Sequence, residues 1–104
     1  LGGAMRSTHC MEIPFVFDNA DVHASMTGGG EQAMKLGSRM SQAWVNFARC
    51  GNPDGESGIE GVPSWEPFTE AEGSTMWWDN DCKVLKHHDK ELLEIATSHL
   101  TSKI

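Results

Sequence analysis

The sequence predicts a mostly helical chain with one short β-hairpin, and three features predict it. Apolar residues recur at steps of three and four over residues 31–50, the spacing of one helix face. A shorter stripe of the same period runs over 89–100. Between them, over 75–85, two short apolar runs flank the turn-forming triplet Asp79-Asn80-Asp81.

The first element predicted is a turn or short helix near 11–17. Its apolar block, Ile13-Pro14-Phe15-Val16-Phe17, is too short for periodicity to separate strand from helix. Pro14 argues against a central strand and suits the first turn of a helix, where its missing N–H is not needed. From Asp18 to Gly30 the chain is rich in Asn, Asp, Ser and Gly and reads as a loop. It ends in Thr27-Gly28-Gly29-Gly30. Glycines before a helix can cradle phosphate, but no Gly-Lys-Ser/Thr follows here, so a connecting loop is the expectation.

The long helix is the clearest element. Ala33, Leu36, Met40, Ala43, Trp44, Phe47 and Ala48 form its stripe, while Arg39, Gln42, Asn46 and Arg49 fall largely outside it. At 1.5 Å per residue it spans roughly 30 Å. Gly51 suits the left-handed residue after the helix, and Pro53 prevents continuation. Such a stripe needs a broad apolar partner, and the rest of the chain offers little. Residues 52–72 are turn-rich, with Trp65, Pro67 and Phe68 as candidate anchors to a surface. In the last helix, Asp89 is a good N-cap and Leu92, Leu93, Ala96 and Leu100 make the stripe.

Composition narrows the partners. The chain carries 15 acidic and 8 basic residues, a formal charge of -7. Such a surface repels phosphate backbones, so no nucleic acid is expected. Nothing approaches the ~20 consecutive apolar residues of a membrane span. Leu1 to Met11 show no charged start followed by an apolar run, so no signal-peptide pattern is visible; in a C-terminal piece this says nothing about export. Cys10, Cys50 and Cys82 are odd in number and widely spaced, a poor disulfide framework. Reduced thiols, and with them a cytoplasmic setting, are the expectation.

The chemistry-bearing residues are few. The strained Gly-x-Ser-x-Gly elbow of a serine hydrolase is absent: Ser57 follows Gly55, but Ile59 stands where the second glycine belongs. No His-Glu-x-x-His occurs, and the adjacent His87 and His88 do not converge on one ion, so no metal is expected. His9 differs by its setting, a polar turn just before the apolar block, with Glu12 three residues on. A helical turn would bring that carboxylate near the histidine. A lone loop histidine has a plain surface reading. A loop on a rigid scaffold also suits acid–base work, and imidazole titrates near working pH. Cys10 beside it is a poor nucleophile candidate, since adjacent residues rarely reach hydrogen-bond geometry with each other.

The stretch from His9 to Phe17, H-C-M-E-I-P-F-V-F, resembles the segment around the catalytic histidine of type-B carboxylesterases, the family that also contains the cholinesterases. Members typically read His, a small residue, any residue, Glu or Asp, an aliphatic, then Phe-Val-Phe. They usually have Gly or Ala after the histidine, where this chain has Cys10. Gly3-Ala4 echoes the Gly-Ala that precedes the histidine, further upstream than usual. Ser41 to Pro53 resembles the family's Trp-x-x-Phe-Ala-x-x-Gly-x-Pro helix, and Pro63 to Phe68 the Leu-Pro-x-Trp-Pro-x-Tyr that follows. Met76 to Asp79, Cys82 to Val84 and Asp89 to Leu92 are similar to the end of para-nitrobenzyl-esterase-like members.

The resemblance implies an α/β class: residues 1–104 as the C-terminal segment of an α/β-hydrolase domain, without the nucleophile and acid regions. In that fold the triad runs Ser, then Asp or Glu, then His. It also implies a serine esterase of small-molecule esters, with His9 catalytic and Glu12 supporting the loop behind it. No cofactor is implied. Alone, the segment is expected to be inactive and to hide its stripe by self-association. The alternative is a small helical interaction module without enzymatic activity, whose stripe meets a partner.

Overall fold

The structure, a computed structural model, describes residues 4–101. Gly3 of the Gly3-Ala4 pair lies outside them. The elements are α1 (Ile13–Val16), α2 (Ala24–Thr27), α3 (Gly30–Cys50), β1 (Ser74–Trp77), β2 (Lys83–Lys86) and α4 (Lys90–Thr101). Among the described residues the sheet is a two-stranded antiparallel hairpin, in register Ser74 to Lys86, Thr75 to Leu85, Met76 to Val84 and Trp77 to Lys83.

α1 is one turn, opened by Pro14 in its first positions as the missing N–H allows. The loop expected over 18–30 contains one further helical turn, α2, which has no apolar period to reveal it. Thr27 organises this segment. Its hydroxyl donates to the Ala20 carbonyl at 2.8 Å and accepts from the Gly29 N–H at 3.1 Å.

α3 ends as expected: Gly51 takes φ 74° and its N–H donates to the Phe47 carbonyl at 2.8 Å. Its buried face is narrower than the apolar stripe. Ala33, Gly37, Met40 and Ala43 are buried. Trp44 and Phe47 remain 46% and 60% exposed. The polar residues beside the stripe tether the loop over 52–68 instead of facing only water. Arg39 Nε donates to the Glu60 carbonyl at 3.1 Å, and Asn46 Nδ2 to the Pro53 carbonyl at 3.0 Å. Within that loop, the Asp54 carboxylate accepts from the Trp65 N–H at 2.9 Å and the Ser64 hydroxyl at 3.2 Å. Trp65 then meets Trp78 edge to face at 6.1 Å, and Trp78 meets Trp44 at 6.4 Å. Of the three anchors expected here, Trp65 is half-buried, whereas Pro67 and Phe68 are exposed.

The hairpin is closed at its base by Gly73. Its φ is +58°, and a Cβ there would lie 2.9 Å from the His87 nitrogen, so glycine alone fits. Lys86 pairs with Glu72 across the same end, and this holds the Glu72 carboxyl below its ordinary range. At the start of α4 the Asp89 carbonyl accepts from the Leu93 N–H at 2.9 Å. The Asp89 carboxylate lies 3.2 Å from His88 Nε2, where a capping role toward the helix had been expected.

The assembly is open. Its radius of gyration is 15.5 Å, against about 13 Å for a compact domain of 100 residues. Its accessible surface is 7934 Å², against about 5,800 Å² for a folded monomer of this mass. Among the described residues no large side chain is fully buried. The α4 residues Leu92, Leu93, Ile95 and Leu100 all face outward.

Asp54 carries the loop over 52–68 through two bonds to a half-buried carboxylate. Asp54→Ala removes both, and local opening becomes easier by about 1–2 kcal/mol. Limited proteolysis of that loop is expected to speed up by roughly tenfold. Unchanged cleavage would show that the tryptophan contacts hold the loop by themselves.

Candidate active-site segment

His9 sits in a turn that runs straight into α1. The Met11 N–H donates to the Thr8 carbonyl at 3.2 Å and the Ile13 N–H to the Cys10 carbonyl at 3.3 Å. Glu12 is the N-cap residue of α1. Its carbonyl accepts from Phe15 and Val16 at 3.0 and 2.9 Å, and its side chain makes no capping bond. His9 and Glu12 are both exposed, and no hydrogen bond or ion pair joins them among the described residues. The turn therefore presents the imidazole outward and leaves its two nitrogens open to other groups. The reason is geometric: residues 9–12 form consecutive tight turns, not the regular helix that would stack positions three apart.

Cys10 explains how the turn is made. Its φ is +68°, in the left-handed region where a side chain is disfavoured. A turn of this shape suits glycine, the residue common after the histidine in the resembling family. The sequence signal for it was the departure itself, a cysteine where a small residue is usual. Strain of this kind next to a chemistry-bearing residue is a recurrent feature of active sites.

His87 and His88 are engaged elsewhere. His87 Nε2 lies 2.7 Å from the Ala71 carbonyl, and His88 pairs with Asp89 and meets the Trp77 ring at 5.2 Å. Among the described residues no group of three or more His, Cys, Asp or Glu side chains could hold an ion. Cys10, Cys50 and Cys82 are free thiols. A groove of about 780 Å³ lies between α3 and the loop after it. It is lined by Trp44, Phe47, Trp65 and Phe68 together with Asp54, and none of its lining residues belongs to the His9 turn.

The described residues thus present an outward histidine at the head of a helix, one hairpin and a broad uncovered aromatic surface. Comparison with known proteins gives the family. A family model described as the carboxylesterase family matches residues 3–95. Carboxylesterase 5A of Felis catus is 37% identical over 71 residues, 65% of this chain and 12% of that protein. The para-nitrobenzyl esterase of Bacillus subtilis is 26% identical over 88 residues, 83% of this chain and 17% of that protein. A solved esterase of Clostridium hathewayi, able to hydrolyse aliphatic aromatic polyesters, superposes with a TM-score of 0.67 at 33% identity, covering 86% of this chain and 17% of that one. The chain belongs to the carboxylesterase family, and its structural neighbours are esterases of the α/β-hydrolase fold. It spans between 12% and 17% of the length of these relatives.

The left-handed turn has a consequence for stability. Cys10→Gly removes the steric penalty but adds unfolded-state freedom, so a net change between zero and about +1 kcal/mol is expected. Cys10→Val places a β-branched side chain at positive φ and is expected to cost about 1–2 kcal/mol relative to glycine. Thermal melts followed by circular dichroism compare the two. Equal stability of the valine and glycine variants would mean that the turn does not need a left-handed residue.

Proposed function

We propose that residues 1–104 form the C-terminal segment of a serine-type carboxylic ester hydrolase, and that His9 is its general base. The observation that carries this is the exposed imidazole on a strained turn directly before Ile13-Pro14-Phe15-Val16-Phe17, within the stretch matched by the family model. In this reading a serine from the rest of the domain attacks the ester carbonyl while His9 accepts its proton. His9 then delivers that proton to the departing alcohol, and water repeats the cycle to release the acid. An Asp or Glu, also outside this chain, would orient the imidazole. Glu12 stands after the histidine in sequence and supports the loop behind it. The substrate class is a small-molecule carboxylic ester.

Role assignment is testable in the full-length esterase that carries this segment. His9→Ala is expected to lower kcat by several orders of magnitude with substrate binding kept, because triad members act as a unit. Glu12→Gln is expected to cost far less, roughly one to two orders. A loss below about tenfold for His9→Ala would remove His9 from the base role. Equal damage by the two variants would overturn the division between them.

The chain by itself makes a different test. Without a nucleophile it has no acyl-enzyme route, so para-nitrophenyl ester turnover should not exceed that of a histidine-free control. Burying side chains such as Trp44, Phe47 and Leu92 is worth roughly 1.5–3 kcal/mol each. Ordering the chain costs about 1.5 kcal/mol per residue whether or not those side chains are covered. The chain alone is therefore expected to be marginal or self-associated, its apolar faces against another copy. Light scattering and melting curves decide it; a monomer with a sharp cooperative transition at low micromolar concentration contradicts it.

A further inference from the structure

Gly37 stands in the buried middle of α3, a position where helix propensity argues against glycine. Its backbone is ordinary helix, without positive φ, so conformation does not require it. Space does. A Cβ at Gly37 would meet Asp18 Oδ1 at 3.4 Å, Ala20 Cβ at 3.7 Å and the Phe15 carbonyl oxygen at 3.7 Å. Phe15 lies in α1, and Asp18 and Ala20 in the segment leaving it, so the end of α1 and that segment cross the α3 backbone at this point. Alanine would sit there in ordinary contact. A side chain one or more atoms longer, at ~1.5 Å per bond, would run into that crossing segment.

The crossing segment is stiff and joined to the His9 turn. The Phe17 N–H donates to the Ile13 carbonyl at 3.1 Å, Asp18 to Phe15 at 3.1 Å and Asn19 to Pro14 at 2.9 Å. Asp18 is itself left-handed at φ 52°, and Ala20 is 2% exposed. Upstream, Phe15 bonds to Glu12 at 3.0 Å, Ile13 to Cys10 at 3.3 Å and Met11 to Thr8 at 3.2 Å. An unbroken run of hydrogen-bonded turns thus links the Gly37 seam to His9, whose own side chain is exposed.

We propose that Gly37 is a positioning residue for His9: the small size of this position lets α1 seat closely on α3, and so sets where the imidazole stands. The proposal rests on the reading of His9 as the general base. Misplacing a catalytic group by ~1 Å can cost up to 10²-fold in rate.

The test uses the full-length esterase and para-nitrophenyl esters, with rates per folded molecule. Gly37→Ala should keep kcat within about twofold, as an ordinary contact predicts. Gly37→Leu should lower kcat by roughly 10- to 100-fold while KM stays within about twofold, the mark of lost transition-state placement and not of lost binding. If Gly37→Leu does not fold, Gly37→Ser carries the test, with an expected fall in kcat of about three- to tenfold. A merely structural role predicts lower yield or Tm with kcat per folded molecule unchanged, and that result overturns the proposal. His9→Ala run in parallel separates the two failures. If it stays active, the base assignment and the positioning role both fall; if it is dead while folded Gly37→Leu and Gly37→Ser are fully active, only the positioning role falls.

Discussion

The seat of α1 on α3 is the contact from which the rest of the arrangement follows. At its centre stand small residues: Gly37 on the long helix faces Ala20 of the crossing segment, beside Asp18 and the Phe15 carbonyl. Small side chains bury little area each, so this seam gains less from hydrophobic transfer than a leucine-rich core would. What it gains is closeness of backbones, and closeness fixes position. The turn carrying His9 continues directly from that seam through backbone hydrogen bonds, so the exposed end inherits the order of the buried one.

A second cluster stabilises the other flank by different means. Trp44, Trp65 and Trp78 meet edge to face or tilted, while Asp54, Asn46 and Arg39 hold the irregular loop by its backbone. Loops that cannot form ladders need such side-chain partners for their N–H and carbonyl groups. The result is two centres of order on one helix, and the large aromatics Trp44 and Phe47 stay exposed beside the second.

Much of this was legible in sequence because the signals were local. The period of α3, Gly51 after it, Pro14 at the head of α1 and the turn triplet of the hairpin each act within a few residues, and each element appears where its signal stood. The strands shifted by a residue or so, since hairpin ends are set by pairing, and pairing is a contact between distant positions. The stripe of α3 overstated the core for a related reason. Periodicity reports which face is apolar and says nothing of what covers it, and Trp44 and Phe47 turned out to be open. Gly37 went unread because a glycine inside a helix pattern looks like a weakness until the crossing chain is known. The left-handed Cys10 was hidden likewise, its only trace being an unusual residue after the histidine.

The distribution of strain and exposure gives these observations a common cause. A group meant to act on partners from elsewhere must point away from its own support, so few local contacts can hold it. The His9 turn meets this with backbone geometry: a left-handed residue at Cys10, a capping carbonyl at Glu12 and a proline that starts the helix without a donor. Backbone bonds to carbonyls are insensitive to which side chains surround the turn, so the turn keeps its shape while its imidazole stays exposed. The aromatic groove on the far flank shows the converse design. There the side chains themselves are the exposed feature, and only a further apolar surface can complete their burial. The His9 turn is thus ordered by its backbone, while the groove beside α3 is left open on its aromatic side.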